Sequence, residues 1–342
     1  MNYLITTFDG LGDGVIYYPI FKEIGEKMPE SLFFYTTNLF FSGNLTQGNI
    51  QAPSNFKIID NNFRKFPRNY WKEISVFLEQ NDIKVVMNLR TVGRRFEKGY
   101  YDFKDWFVTQ NSEINFYDDE TLTADEKTNT NIRDIILKIL QKGTNQKLIY
   151  DTSIFELFFP IINDPESILI NMHSGGVFKL WEVTKWAKLI SSLVLSDRKV
   201  EIYEGFSENE KLYTNKVISD LPSFTKNKIK ILKPTNLYEL EESLRDIFLL
   251  ISVDSGLIHL CDSMGIKSLG IYVTTSPLMW GGSSNKFNYV SSKHMLSCKN
   301  FYPFFGMCMN GKKKCDSILF EKDDINIEEV LEKVNQIYHE KN

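Results

Sequence analysis

The stretch DIFLLISVDSGLIHLCDSMGIKSLGIYVTTSPLMWG, from Asp246 to Gly281, decides the fold that we expect for the chain. It contains two apolar runs of strand length, and each run ends in a polar turn: Ile247–Val253 before Asp254-Ser255-Gly256, and Lys267–Val273 before Thr274-Thr275-Ser276-Pro277. With a helix-like segment between the runs, the order is strand, turn, helix, strand and turn, which is typical of an open parallel sheet. Ligands of such sheets bind outside the carboxyl ends of the strands. We therefore expect both polar turns on the ligand-binding edge.

The first of these turns offers the groups that an anionic ligand needs. A helix start has backbone amides without partners, Gly256 permits close approach of the backbone, and Ser255 adds a hydroxyl. Asp254 could orient a neighbouring group or bind a hydroxyl. His259 lies four residues after Ser255, about one helical turn on, and faces the same end of the helix. Its ring either hydrogen-bonds the ligand or lies satisfied in the core.

The motifs DSGLIHL and IYVTTSPLMWG resemble the nucleotide-sugar site of family 9 glycosyltransferases, the bacterial ADP-heptose:lipopolysaccharide heptosyltransferases. The family pattern is close to D-[ST]-G-x-x-H-L followed by a Gly-Pro-Thr-x-Pro-x-x-W-G turn. In this chain Val273-Thr274-Thr275 stands where Gly-Pro-Thr is usual. The resemblance implies that this part of the chain binds a sugar nucleotide, with candidate donor contacts at Asp254, Ser255, Gly256 and His259.

Composition limits the classes of protein to which the chain can belong. Its 342 residues suffice for two ordinary domains, and 42% hydrophobic with 25% charged residues is a globular composition. Forty basic against forty-four acidic residues give a net charge of −4, which argues against a nucleic-acid binder. No apolar run approaches the roughly 18 residues of a membrane span, and the N-terminus lacks the features of a signal peptide. We expect a cytoplasmic protein, either free or peripheral at the inner face of the plasma membrane.

A glycine-rich turn, Asp9-Gly10-Leu11-Gly12-Asp13-Gly14, follows the first predicted strand, Tyr3–Phe8. Its spacing is GxGxG rather than the GxGxxG of dinucleotide-binding folds, and the charge of Asp13 would oppose a pyrophosphate. A carboxylate there is better suited to meet a neutral hydroxyl, whose proton it can take as a general base. The sequence GDGVIYYP resembles the family's G-D-x-x-x-x-x-P opening, whose Asp is the proposed catalytic base. That role transfers to Asp13, with Gly12 as a donor contact; the alternative is that Asp13 only caps the helix.

Two basic clusters in the first half are candidates for binding the acceptor. The residues that we select from them are Arg64, Arg68, Arg90 and Arg94. The second cluster follows the end of a predicted strand, Lys84–Leu89, and arginine forks suit carboxylate or phosphate groups. An acidic or phosphorylated sugar acceptor would fit there, while a solvated surface remains an equal explanation for the first cluster. The family's frequent Asp-Leu-Gln is here Asn88-Leu89-Arg90.

The second half restarts with an apolar strand, Ser167–Met172, followed by HSGGVFKLW. A glycine turn before a helix with Lys179 in its first turn suits a diphosphate, because the amides donate hydrogen bonds and the ammonium offsets the charge of the departing nucleotide. The sequence resembles the family's H-P-G-x-x-x-K-x-W, whose Lys contacts the donor phosphates, and that role transfers to Lys179. Ser174, which stands where proline is common, and Gly175 are further candidate donor contacts. Otherwise Lys179 is a surface lysine at a helix start.

An acidic segment follows the next predicted strand, Lys199–Tyr203. In the family the equivalent turn often supplies an acidic contact to the donor's sugar or ribose, which points to Glu208 or Glu210. An acidic helix start would explain both residues equally well.

Three cysteines lie late in the chain, Cys298, Cys308 and Cys315, with His294 nearby. Close relatives of the family, the autotransporter heptosyltransferases, carry an iron-binding cysteine cluster in the tail, so a metal site is one alternative. Free thiols are favoured because no Cys-x-x-Cys pair is present.

The resemblance implies an α/β protein with the GT-B fold, in which two Rossmann-like doubly wound domains face a central cleft. The boundary is predicted near residue 163, which gives an acceptor-binding domain of residues 1–163 and a nucleotide-sugar-binding domain of residues 164–342. The last helix, from Ile327 to about His339, is expected to pack back on the first domain.

The implied reaction is an inverting transfer of a sugar, heptose from ADP-heptose, to a saccharide or glycolipid acceptor of lipopolysaccharide or a related surface glycan. No cofactor and no divalent metal would be required, since Lys179, Ser255 and the helix-start amides take over the metal's electrostatic role. Two alternatives keep the fold: heptosylation of a protein, and transfer from another nucleotide-sugar. A third is a non-catalytic sugar-nucleotide-binding protein.

Overall fold

The structure is a computed structural model that describes residues 1–7, 11–36, 52–59, 71–89, 100–110, 113–123, 126, 130–151, 165–293, 301–302, 307–308 and 325–340. The chain divides into two compact units, Met1–Thr152 and Ser153–Asn342. The sequence places the boundary near residue 163, in a segment, 152–164, that lies outside the described residues. No helix of the described ranges is both long and apolar enough to cross a membrane.

The first unit is built on a parallel sheet in the strand order β3-β2-β1-β4-β5. Its elements, in chain order, are β1 (Asn2–Thr6), α1 (Leu11–Lys27), β2 (Leu32–Thr36), β3 (Phe56–Ile59), α2 (Trp71–Gln80), β4 (Ile83–Asn88), α3 (Tyr100–Gln110), β5 (Asn115–Tyr117), a 3₁₀ turn (Asp119–Thr121) and α4 (Ile132–Thr144). The strand order reverses between β1 and β4, which makes the carboxyl ends of these two strands the topological switch point of the unit.

The core of the first unit forms around its central strand. All residues of β1 after Asn2 are buried, and Leu4 packs in one cluster with Phe34 of β2. Helix α2 adds Ile74 and Leu78 to that cluster, four residues apart on one helical face. A strand buried on both faces and a helical stripe thus share one core, as a doubly wound unit requires.

The second unit contains a parallel sheet in the order β11-β10-β9-β6-β7-β8. Its elements are β6 (Ser167–Asn171), a 3₁₀ turn (Val177–Lys179), α5 (Val183–Leu195), β7 (Val200–Tyr203), α6 (Glu208–Asp220), α7 (Ser223–Lys226), β8 (Lys230–Leu232), α8 (Leu237–Leu244), β9 (Ile247–Val253), α9 (Gly256–Ser263), β10 (Lys267–Tyr272), α10 (Pro277–Trp280), β11 (Phe287–Ser291), a short antiparallel pair of β12 (Phe301–Tyr302) and β13 (Met307–Cys308), and α11 (Ile327–His339). This is the strand order of a Rossmann unit, with its switch point between β6 and β9.

The apolar patterns of the second half are buried as the sequence predicts. All seven residues of β9 are buried, because the strand lies between β6 and β10 in the sheet. Helix α5 buries an apolar stripe at helical spacing: Trp186, Leu189, Ile190, Leu193 and Val194. The central strand and the covering helix therefore follow from hydrophobic periodicity.

The last helix, α11, packs within the second unit. Val330, Val334 and Ile337 are buried in the same core cluster as the stripe of α5. The ring of Tyr338 lies 3.6 Å from the guanidinium carbon of Arg198. The apolar residues of this helix are therefore buried in the core of the second unit, and its expected contact with the first domain stays a prediction.

Candidate functional site

The candidate site lies at the carboxyl ends of β6 and β9, at the switch point of the second unit. Asn171 is the last residue of β6, and its side-chain nitrogen donates to Ser252 Oγ and to Ser255 Oγ, both at 2.9 Å. The two serine hydroxyls are also 2.9 Å apart, and Ser252 Oγ donates to the Val253 carbonyl at 2.7 Å. Three polar side chains thus join the two strand ends at the position where ligands of such sheets bind.

The start of α9 presents backbone amides at this position. Ser255 is the N-cap residue of α9, but its side chain makes no capping hydrogen bond to the helix. Its hydroxyl is directed to Asn171 and Ser252 instead. Gly256 is the first helical residue, and His259 lies on α9 with 5% of its surface exposed. The amides at the helix start are therefore placed to receive an anion.

The loop that follows β6 leaves free space beside Gly175 and buries the hydroxyl of Ser174. A Cβ added to Gly175 would meet no atom within 4 Å. The adjacent Ser174 Oγ is buried and has no hydrogen-bond partner among the described residues. A buried polar group without a partner costs roughly 1–3 kcal/mol, which a ligand oxygen accepting from this hydroxyl would offset.

Lys179 is held by an ion pair beside this loop. Its Nζ lies 2.7 Å from Asp254 Oδ2, and the exposed fractions of the two side chains are 20% and 6%. Thr275 Oγ1 donates to the same carboxylate oxygen at 2.7 Å. Of the two roles that the sequence allows for Asp254, the contacts favour orientation of a neighbour, namely Lys179.

The secondary structure around Lys179 differs from the prediction of a lysine in the first turn of a helix. Lys179 ends the 3₁₀ turn that begins at Val177, and α5 begins only at Val183. The reason is local: Leu180 and Glu182 have extended backbones, which separates the turn from the helix. Lys179 is therefore not opposed by the dipole of α5 at its first turn.

The sequence does not predict two polar residues of the site, Asn171 and Ser252, and it predicts Thr274 and Thr275 only as members of a polar turn at the ligand-binding edge. A polar residue in an otherwise apolar, buried strand was the available signal for Asn171 and Ser252. The threonines were visible only as part of a turn. The Thr274 hydroxyl donates to the Phe178 carbonyl at 2.9 Å, a contact between residues far apart in sequence.

His173 is a structural residue of the loop. Its Nε2 lies 3.1 Å from the Tyr203 carbonyl oxygen and 2.9 Å from Thr214 Oγ1. Because a carbonyl only accepts, we assign the ring hydrogen to Nε2. Burial lowers the pKa of His173, which favours the neutral ring. The histidine thus ties the start of the loop to β7 and α6.

The two acidic candidates after β7 have different roles. Glu210 Oε2 accepts from the backbone amides of Phe206 at 3.0 Å and Ser207 at 2.8 Å, and Ser207 Oγ accepts from the Glu210 amide at 3.3 Å. This is a capping box, so the helix-start explanation holds for Glu210. The Glu208 side chain is 84% exposed and pairs with Lys211 at 2.9 Å. A donor contact by Glu208 stays a prediction.

Gly205→Ala is expected to lower the free energy of unfolding by roughly 1–3 kcal/mol. Gly205 has a φ of 94°, and a Cβ there would lie 2.3 Å from Glu210 Cβ. Urea unfolding of the variant measures the effect, with Gly175→Ala as a control because that site has room for a methyl group. Equal stability of Gly205→Ala and the unchanged protein would contradict the expectation.

The structure describes only some of the candidate site residues of the first unit. Asp13 lies in the first turn of α1 and is half-buried, and Gly12 beside it is buried. At the switch point of this unit, Thr6 Oγ1 donates to Asn88 Oδ1 at 2.6 Å. The predicted acceptor contacts lie outside the described residues: Arg64, Arg68, Arg90 and Arg94.

The structure tests only in part the alternative that the late cysteines bind a metal. Cys298 and Cys315 lie outside the described residues, and Cys308 is the last residue of β13. Within the part of the chain that is described, no three or more His, Cys, Asp or Glu side chains are grouped to hold a metal ion. Cys261 is a free cysteine, and burial raises the pKa of its thiol, which makes it unreactive.

Comparison with known proteins gives one family and one fold. The model of glycosyltransferase family 9 (heptosyltransferase) matches residues 142–302. The structure of E. coli heptosyltransferase WaaC with ADP has a TM-score of 0.60 and 13% identity, covering 98% of this chain and 100% of that chain. For E. coli ADP-heptose lps heptosyltransferase II the TM-score is 0.59 and the identity 12%, covering 100% of this chain and 99% of that chain.

A third similar structure is the dodecameric iron-containing heptosyltransferase TibC from enterotoxigenic E. coli, in complex with ADP-D-beta-D-heptose. Its TM-score is 0.57 at 13% identity, covering 100% of this chain and 77% of that chain. A search of curated protein sequences finds no match.

The family match includes the structural features of the second unit described above. It covers the loop at Ser174, the turn that carries Lys179, and the switch point between β6 and β9. The structural similarities extend over both units and show the fold, with one parallel sheet in each unit. Residues 142–302 match the model of glycosyltransferase family 9, and the chain is a glycosyltransferase with the GT-B fold.

Proposed function

We propose that the protein transfers heptose from ADP-heptose to a saccharide hydroxyl of lipopolysaccharide or a related surface glycan, with inversion at the anomeric carbon. The observation that carries this proposal is the anion site of the second unit. There the Lys179 ammonium, the Ser174 and Ser255 hydroxyls and the start of α9 gather at the switch point. A nucleoside diphosphate is the leaving group that such a site suits.

Asp13 is the proposed general base. Its carboxylate takes the proton of the acceptor hydroxyl while the hydroxyl oxygen attacks the anomeric carbon from the face opposite the diphosphate. The bond from that carbon to the β-phosphate oxygen breaks, and its electron pair leaves with the nucleotide. Attack from the opposite face gives inversion, and one proton acceptor suffices for this single displacement.

The second unit stabilises the leaving nucleotide. Charge grows on the diphosphate as the glycosidic bond breaks, so groups that bind this charge more strongly in the transition state raise the rate. Lys179 supplies a positive charge, and the amides at Gly256 supply oriented dipoles. These groups can do the electrostatic work of a divalent cation.

The donor is inferred from two kinds of support. Two of the similar structures, those of WaaC and TibC, contain ADP and ADP-heptose respectively. The anion site is compatible with any nucleoside diphosphate, so the base and the sugar rest on the family resemblance. If the acceptor is a glycolipid, the protein acts at the inner face of the plasma membrane.

A thermal-shift panel tests the donor. We expect ADP and ADP-heptose at 100 times their Kd to stabilise the protein by about 2.7 kcal/mol, a shift in Tm of roughly 4 °C for a chain of this length. Adenosine, which lacks the diphosphate, serves as the control and should give a small shift. A larger shift with UDP, GDP or their sugars would overturn the adenine assignment. No shift with any nucleoside diphosphate would overturn the proposed donor site.

A further inference from the structure

Two adjacent buried threonines follow β10, and one contacts the main chain next to Lys179 while the other contacts Asp254, the ion-pair partner of Lys179. Thr274 is 2% exposed and Thr275 is fully buried. Thr274 Oγ1 donates to the Phe178 carbonyl at 2.9 Å, and Thr275 Oγ1 donates to Asp254 Oδ2 at 2.7 Å. The first hydrogen bond holds main chain next to Lys179, and the second holds the carboxylate that pairs with its ammonium.

The main-chain contact fixes a turn that has few internal restraints. The 3₁₀ turn makes two backbone hydrogen bonds, from the Lys179 amide to the Gly176 carbonyl and from the Leu180 amide to the Val177 carbonyl. Two glycines precede the turn, and glycine leaves the backbone the most conformational freedom. The Phe178 carbonyl takes no part in these two bonds, so its bond to Thr274 ties the turn to the end of β10.

The side-chain contact fixes the charged end of Lys179. Asp254 Oδ2 accepts from Lys179 Nζ and from Thr275 Oγ1, each at 2.7 Å. Because the threonine hydroxyl restrains the carboxylate, the carboxylate can restrain an ammonium at the end of a long, flexible stem. An ammonium has three hydrogens, so the bond to Asp254 leaves two for a ligand.

We propose that Thr274 and Thr275 are positioning residues that hold Lys179 in place for the diphosphate of the donor. The inference rests on the proposed function, because it takes Lys179 as the diphosphate contact. Both threonines act through other residues: Thr274 sets the position of the backbone, and Thr275 sets the direction of the ammonium. Thr274 stands where the family pattern has proline, which has no donor, so the main-chain restraint is a feature of this sequence.

Nucleotide affinities of valine and serine variants test this inference. The diphosphate is the one of ADP, UDP and GDP that binds the unchanged protein most tightly. The monophosphate of the same nucleoside is measured beside it. In Thr274→Val and Thr275→Val we expect the diphosphate affinity to fall roughly tenfold, since each loses a hydrogen bond within a charged network. The monophosphate affinity should change by less than about threefold, because it depends less on a fixed Lys179. Thr274→Ser and Thr275→Ser should restore the preference for diphosphate.

Two further variants separate the possible failures. Thr225→Val removes another buried hydroxyl of the second unit, and we expect it to leave both affinities unchanged. If the Lys179→Ala variant has the same affinity for diphosphate as the unchanged protein, the proposed role of Lys179 is wrong. The positioning inference is then wrong too. If Lys179→Ala loses affinity and both valine variants keep it, only the positioning inference is wrong. Equal losses for diphosphate and monophosphate, without rescue by serine, would mean a merely structural role and also overturn it.

Discussion

Asp13→Asn is expected to lower kcat for sugar transfer by roughly 10²–10⁴-fold and to leave the affinity for nucleoside diphosphate unchanged. Asparagine keeps the shape of aspartate but does not take up the proton of the acceptor hydroxyl. Asp13 lies in the first unit, whereas the proposed diphosphate contacts lie in the second. Initial rates with a saturating donor, together with nucleotide titration of the same protein, measure both quantities.

A matched variant distinguishes catalysis from helix stabilisation. Asp134 is an exposed carboxylate in the first turn of α4, so Asp134→Asn removes the same kind of charge from another helix start of the first unit. Loss of a favourable charge at a helix N-terminus costs about 0.3–1 kcal/mol of stability. This cost is far smaller than the rise in activation free energy that the expected loss of rate implies. Both variants should therefore be folded and similarly stable, and only Asp13→Asn should be inactive. Unchanged turnover in Asp13→Asn would reduce Asp13 to a stabilising residue of α1.

The central strands of the second unit could be predicted from sequence because their burial leaves a local pattern. The apolar run Ile247–Val253 is the seven-residue buried strand β9, and its polar ending falls at the switch point. The order of strands places β6 beside β9, although more than seventy residues separate them in the chain. The placement of β6 beside β9 is predictable because crossovers in parallel sheets are right-handed and ligand sites lie at the switch point.

The contacts within the site could not be predicted in the same way, because they join residues that are distant in sequence. The bond from Asn171 to Ser252 and the bond from Thr275 to Asp254 each require coordinates to be seen. The capping box is the opposite case, since Ser207 followed three residues later by Glu210 is its ordinary sequence signature. The hydrogen bonds of Glu210 form this cap, and a donor contact by Glu210 stays a prediction.

The packing of α11 shows a second limit of sequence patterns. Its spacing of apolar residues predicts one buried face but carries no information about the surface that covers it. The structure supplies that information, since Val330, Val334 and Ile337 are buried with the residues of α5.

Lys179→Ala is expected to weaken the affinity for nucleoside diphosphate and to lower kcat/KM by roughly 10²–10³-fold, because the departing nucleotide loses its positive contact. Lys188→Ala is the control, since Lys188 is an exposed lysine on α5 and its loss should change neither quantity. Titration with the diphosphate and initial-rate kinetics supply the measurements. Equal behaviour of the two variants would contradict a role for Lys179 in the site.

The same change has a second effect, because it leaves the 6% exposed carboxylate of Asp254 without its ion-pair partner. Thr275 still donates to that carboxylate, but a nearly buried charge without a counter-ion destabilises the fold by roughly 1–3 kcal/mol. The double variant Lys179→Ala with Asp254→Asn removes that charge, so its Tm should recover while the diphosphate affinity stays low. Recovery of both would show that Lys179→Ala acts only by destabilising the site. Recovery of stability alone assigns the lost affinity to the ammonium itself.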